Sequence, residues 1–220
     1  MTIEKARYWA ENMTELSKND RLWLNNPVIM QGVGLAPMVV AATSGYTALV
    51  LAVAVAVMLT PTRVVGAVLR KALGEQYDRF AVLCYALPAA LCYIAAYFLV
   101  RHLWGPSALQ QVGVYLPLLV FEPLIIRRYR AAVPEGPARA LRRGLYTTVG
   151  YLVVLLGVGL ARELLAQGSL MGVQLLEVQL FPLAAQPAGG FMLLGAVCAA
   201  WRGRVRAFKR NIYQEVERNK

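Results

Sequence analysis

Glu122 stands in VGVYLPLLVFEPLII, residues 112–126, between Pro117 and Pro123, and is the only acidic side chain in the core of an apolar run. Placing a carboxylate inside a bilayer costs roughly 2.5–3.5 kcal/mol on insertion scales, so such residues tend to serve ions, protons or substrates. Glu122 could bind or relay a cation, or accept hydrogen bonds from an opposing half-helix. It could also simply cap a broken helix, or pair with Arg127 or Arg128.

A second interrupted run, VIMQGVGLAPMVVAAT at residues 28–43, carries Gln31, Gly32, Gly34 and Pro37. Glycines let backbone approach a central site closely, and they also let helices pack tightly. Pro117 and Pro123 break the later run and leave carbonyls that could face a cation or be absorbed by packing. Both GxG occurrences, Gly32–Gly34 and Gly157–Gly159, lie in apolar runs without a strand-to-helix context, which argues against a dinucleotide loop. Cys84, Cys92 and Cys198 have no zinc, haem or thiol-redox spacing, so they read as small apolar filler unless a partner chain completes a ligand set. Arg162 and Glu163 read as a structural pair or a contact with a neighbouring subunit. The lone His102 is expected in an outer loop, with no assigned role.

The elements that must hold these residues are membrane helices. The chain has 220 residues, 58% hydrophobic and 16% charged, and a mean hydropathy of +0.50. A spanning helix needs about 20 mostly apolar residues. Residues 46–60, 80–100, 145–161 and 188–201 read as plain spans, and residues 28–43 and 112–126 as interrupted ones. Irregular backbone at membrane depth survives only inside protein or beside a cavity. The expectation is therefore all-α: a polytopic membrane protein of six transmembrane helices, the first and fourth broken.

Each broken segment opens a set of three, so the second set must be inverted relative to the first. Such inverted repeats commonly build a site at the midplane. The expected organisation is a leader at 1–27, a membrane domain at 28–201 with repeats at about 28–100 and 112–201, and a basic tail at 202–220. Residues 161–170 lead into residues 173–187, which are expected along the outer surface, not across the membrane. Ile3, Tyr8, Trp9, Met13 and Leu16 recur at helical spacing, which suits an amphipathic leader helix on a membrane surface or a soluble one.

The net charge of +11 raises nucleic acid as a partner, but placement decides against it. With six spans, 21 of the 23 Lys and Arg fall on one side and only Arg101 and Arg162 on the other. That bias predicts cytoplasmic N- and C-termini, and the basic loop 127–143 suits topology, anionic lipid or a docked redox subunit. The mixed stretch 2–24 lacks the compact apolar core of a signal peptide.

Five blocks in order, RLWLNNPVIMQGVGLAPMVVAAT, VGVYLPLLVFEPLIIRR, ARALRRGL, ARELLAQGSL and QPAGGF, resemble the RnfE/NqrD-type subunits of the Rnf and Nqr membrane complexes. Trp23 and Asn25–Asn26–Pro27 are closer to that branch than to its sister, RnfA/NqrE. The resemblance implies an inner-membrane subunit of a bacterium or archaeon, in a complex coupling electron transfer to Na+ or H+ translocation. It further implies a homologous inverted RnfA/NqrE-like partner, other flavin and iron–sulfur subunits, and a [2Fe–2S] cluster held by one cysteine from each broken helix of each subunit. Here the two family cysteines fall on Ala36 and Pro123, with Glu122 at the position before the second. Neither side chain can ligate iron. The expectation is a subunit that has lost its half of the cluster and scaffolds or conducts ions, with no cofactor in this chain; a cofactor with ligands from elsewhere is the lesser reading. A stand-alone transporter or channel and a purely structural anchor are the alternatives from other classes.

Overall fold

The computed structural model describes residues 3–126 and 136–218. The chain is built from helices: α1 (Ile3–Asn19), α2 (Gly45–Leu73), α3 (Tyr77–Val112), α4 (Tyr115–Leu118), α5 (Pro123–Ile126), α6 (Pro137–Gln167) and α7 (Pro187–Arg218), with a small antiparallel hairpin of β1 (Ser169–Leu170) and β2 (Val173–Gln174). Among the described residues three helices are long and apolar enough to cross a membrane: residues 45–73, 79–112 and 137–167. At about 1.5 Å per residue each exceeds a hydrocarbon layer of about 30 Å.

Local chemistry sets the ends of these helices. Ser44 caps α2 through a reciprocal pair with Thr47, which satisfies amide groups that have no partner within the helix. Pro137 opens α6, where its missing N–H costs nothing, and Gly168 closes it in the left-handed region. In α3, Gly105 leaves helical geometry at φ 78, ahead of Pro106. His102 lies just before that kink, exposed on α3. The outer-loop placement of His102 is thus corrected: the apolar helix does not stop at Val100 but runs through Arg101 and His102, which extend it with good helix-compatible residues.

α2 lies between α3 and α6. Its contact with α6 is close because small residues line it: Gly144 faces Thr60, and the Thr60 and Thr148 hydroxyls bond at 2.9 Å. Where lipid offers no hydrophobic drive between helices, such packing and hydroxyl bonds hold them together. α3 leaves most of its apolar surface outside, with Leu87, Leu91 and Phe98 exposed. α1 packs on the basic half of α7, Trp9 edge-on against Phe208 at 5.8 Å.

Neither interrupted run forms a long helix. In residues 28–43, helical bonds from Met30 to Asn26 and from Gly32 to Val28 give one turn. Gly32 and Gly34 then take positive φ, and a π-helical turn, Pro37–Ala41, follows. In residues 112–126, α4, a 3-10 turn (Leu119–Phe121) and α5 follow one another, separated at Glu122 by extended backbone. Residues 175–186 form irregular chain and a 3-10 turn, Pro182–Ala185. The basic loop expected at 127–143 lies outside the described residues up to 135.

Candidate functional site

The two interrupted runs meet halfway along α6. Gly34, buried and at φ 78, stands at the centre. The Tyr151 hydroxyl donates to the Gly34 carbonyl at 3.1 Å, and the Glu122 carboxylate lies within electrostatic reach of the Gly34 backbone. Tyr151 is fully buried, and its hydroxyl lies within electrostatic reach of Glu122. A β-carbon on Gly34 would collide with the Tyr151 ring, so position 34 needs glycine for both its φ and its space.

Of the residues singled out in the sequence, Gly34 and Glu122 are therefore brought together. Pro37 is buried and opens the π turn next door. Pro117 lies half-buried in α4, where its carbonyl is taken by the backbone N–H of Leu119. Glu122 ends the 3-10 turn, and its own carbonyl accepts from Ile125 at 2.8 Å. Arg127 and Arg128, the alternative partners of Glu122, lie outside the described residues.

The residues at this junction do not fit a [2Fe–2S] cluster. Soft thiolates suit such iron, whereas Ala36 offers a methyl group and proline at 123 has no donor atom in its side chain. Ala36 is exposed while Gly34 and Pro37 beside it are buried. Cys84 lies in the small cluster of Tyr77, Ala81 and Tyr85, away from the junction. Cys92 and Cys198 flank the main core. Among the described residues no group of three or more His, Cys, Asp or Glu side chains could hold a metal ion.

Asn26 fastens the start of the first run. Its side-chain oxygen accepts from Val28 and Ile29 at 3.0 and 3.3 Å, and its amide nitrogen donates to the Gly150 carbonyl at 2.7 Å. One side chain thus caps a helical turn and ties it to α6. Gln31 bonds to Asn25 at 3.1 Å. At the same level, Trp201 donates to the Trp23 carbonyl at 3.1 Å and Arg202 to that of Ile29 at 2.6 Å, joining α7 to the run.

A denser assembly sits at the end of the bundle where α6 stops and α2 and α7 start. Arg162 is completely buried. Its Nη1 donates to the carbonyls of Met38, Val39 and Ala42 at 3.0, 2.7 and 2.9 Å. Its Nε and Nη2 donate to those of Ala184, Ala185 and Gln186 at 2.8, 3.3 and 3.3 Å. Glu163 faces other partners. It accepts from Gly45 N–H at 2.7 Å, Gly172 N–H at 2.9 Å and Ser169 Oγ at 3.2 Å.

These adjacent charges match opposite helix ends. The guanidinium meets carbonyls at the negative ends of the π turn and of the 3-10 turn, and the carboxylate meets the positive end of α2. Gly190 on α7 makes room, since a β-carbon there would lie 3.0 Å from both the Arg162 Cζ and the Val39 carbonyl. The sequence pointed to Arg162 and Glu163 only as a pair or a contact with a neighbour. Their signal was two opposite charges inside a run otherwise free of charge from Leu145 to Leu176. Tyr151 carried no signal, being one aromatic among apolar neighbours.

Comparison with known proteins gives these contacts a context. The family described as "Rnf-Nqr subunit, membrane protein" matches residues 16–198. The E subunit of the ion-translocating oxidoreductase complex of Pseudomonas paraeruginosa (strain DSM 24068 / PA7) is 32% identical, covering 86% of this chain and 84% of that protein. The corresponding E subunits of Shewanella oneidensis (strain ATCC 700550 / JCM 31522 / CIP 106686 / LMG 19005 / NCIMB 14063 / MR-1) and Buchnera aphidicola subsp. Acyrthosiphon pisum (strain 5A) are 28% and 24% identical. They align over 81% and 90% of this chain and 82% and 93% of their own lengths.

Proposed function

The chain belongs to the Rnf-Nqr family of membrane subunits and is of the RnfE/NqrD type, and from that premise we propose that it is an integral membrane subunit of a complex coupling electron transfer to the translocation of Na+ or H+. The observation that carries this reading is the similarity along nearly the whole chain to the E subunits of ion-translocating oxidoreductase complexes. The proposed setting is the cytoplasmic membrane of a bacterium or archaeon. The proposed partners are a homologous RnfA/NqrE-like membrane subunit and the flavin and iron–sulfur subunits of the complex.

The finer reading is that this subunit scaffolds the complex or lines its ion path, and contributes no ligand to a cluster. The donor chemistry at 36 and 123 supports it, since neither methyl nor pyrrolidine binds iron. The exposure of Ala36 supports it too, because a half-site shared between two subunits must face outward from each. Glu122 is the proposed ion-path residue, beside Gly34 where the two runs cross. Six spans in two inverted sets of three, with both termini cytoplasmic, remain the proposed topology, supported by the one-sided distribution of Lys and Arg.

Affinity purification of the tagged full chain from native membranes tests the proposal. Flavin- and iron–sulfur-containing subunits should co-purify in fixed ratio. A chain that purifies alone and moves ions by itself in vesicles would overturn the proposal in favour of a stand-alone transporter.

A further inference from the structure

Oxygen atoms from three separate stretches of chain converge where the interrupted runs meet: the Gly34 carbonyl, the Tyr151 hydroxyl and the Glu122 carboxylate. The hydroxyl lies 3.1 Å from the carbonyl, and the carboxylate is within electrostatic reach of both residues. Gly34 and Tyr151 are buried, whereas Glu122 is half-buried beside the exposed Phe121. The cluster therefore has a closed end against α6 and an open end at Glu122.

Charge and donor type narrow what such a place can hold. A carboxylate at membrane depth needs a partner of opposite charge. Among the described residues no lysine or arginine supplies it, and the buried Arg162 is committed to six carbonyls at the far end of the first run. Neither thiolate nor imidazole is present, which excludes the softer metals, and an all-oxygen set suits a hard cation. One carboxylate balances one positive charge. Calcium and magnesium draw on about six or more oxygens, usually with further carboxylates or retained water. The hydroxyl can ligate without releasing Gly34, because a phenol oxygen that donates still has lone pairs and a carbonyl oxygen has two. Broken membrane helices characteristically turn freed carbonyls toward Na+ or protons.

We infer that Gly34, Tyr151 and Glu122 form a binding site for a single, partly dehydrated Na+. The inference rests on the proposed function and deepens it, by naming the ion and by adding Tyr151 to the path. The tyrosine then has two separate duties. Its ring packs on Gly34, where no side chain fits, and its oxygen is a ligand.

The test is uptake of radioactive Na+ by sealed native membrane vesicles, driven by electron transfer through the complex, with choline replacing Na+ at constant ionic strength. Tyr151→Phe keeps the ring on Gly34 and removes only the oxygen. It should raise the half-saturating Na+ concentration at least about tenfold, the loss of one contact to a charged ligand, and by more than it lowers the maximal rate. An unchanged half-saturating concentration would overturn the inference. So would full-rate translocation in Na+-free medium, which would assign the site to protons. Equilibrium binding of radioactive Na+ to the purified complex decides even where Tyr151→Phe fails to accumulate: Glu122→Gln should bind one Na+ fewer per chain than wild type, and equal binding overturns the site. A complex whose electron transfer moves no ion at all refutes the proposed function. Coupled ion movement that is indifferent to Na+ refutes this site alone.

Discussion

The junction at Arg162 and Glu163 holds the interrupted run 28–43 at its end, the junction at Gly34 and Glu122 meets it at its middle, and they are built in opposite ways. At the first, a buried guanidinium makes six bonds to carbonyls and its neighbouring carboxylate makes three more. The guanidinium is matched to the carbonyls at two helix ends, and the carboxylate to the start of α2 and to the hairpin turn. At the second, a glycine carbonyl takes one bond from a tyrosine, and a glutamate lies within electrostatic reach of that glycine. The charged fastening acts on the backbone carbonyls of Met38, Val39 and Ala42, so it makes no demand on the side chain at position 36.

Breaking the first junction should do the most damage. Arg162→Ala would leave two sets of helix-end carbonyls facing each other without a donor, a loss of about 3–5 kcal/mol by analogy with breaking a buried ionic contact. Thermal unfolding of the purified complex should shift strongly downward, and Arg162→Lys should not restore it, because an ammonium cannot present the guanidinium fork. An Arg162→Ala complex with wild-type unfolding would contradict the contrast.

Gly34→Ala comes next. The added methyl meets the Tyr151 ring, and φ 78 is strained for alanine, so about 1–3 kcal/mol of destabilisation is expected. The variant paired with Tyr151→Leu should recover part of that loss, because the leucine withdraws the ring. Asn26→Ala removes a cap and the tie to Gly150, for about 1–2 kcal/mol, read by the same melting measurement.

Glu122→Gln should have the smallest effect on folding, about 1 kcal/mol or less, since the amide keeps the side chain's size and an acceptor oxygen. Its effect belongs to function instead. Ion translocation by the complex in sealed vesicles should fall, and unchanged pumping at every pH tested would remove Glu122 from the ion path.

Much of this was legible in the sequence because membrane physics writes plainly. Of the four runs read as plain spans, three lie in helices long and apolar enough to cross a membrane among the described residues, while the run 188–201 lies in α7, whose second half is basic; Gly32, Gly34 and Pro37 marked the first interruption, where positive φ appears at the two glycines. Glu122 stood out as the one acidic side chain in the core of an apolar run, with a helix cap or an arginine partner as the plain alternatives to an ion role. Tyr151 and the six-carbonyl role of Arg162 were not legible. Both depend on which surface of α6 meets a run more than one hundred residues away, and no local periodicity encodes that. His102 was misplaced because a loop was expected where a charged residue ended an apolar run, whereas Arg101 and His102 simply continue α3 to its kink at Gly105.

The central claim is that the protein keeps the family's architecture while giving no ligand to a cluster. Iron and acid-labile sulfide analysis with EPR of the reduced, purified complex tests it most directly, comparing wild type with Ala36→Ser and Glu122→Gln. The account predicts iron and sulfide that the other subunits explain in full, and spectra that neither substitution alters. A [2Fe–2S] signal that disappears with either substitution, in a complex of unchanged composition, would contradict it.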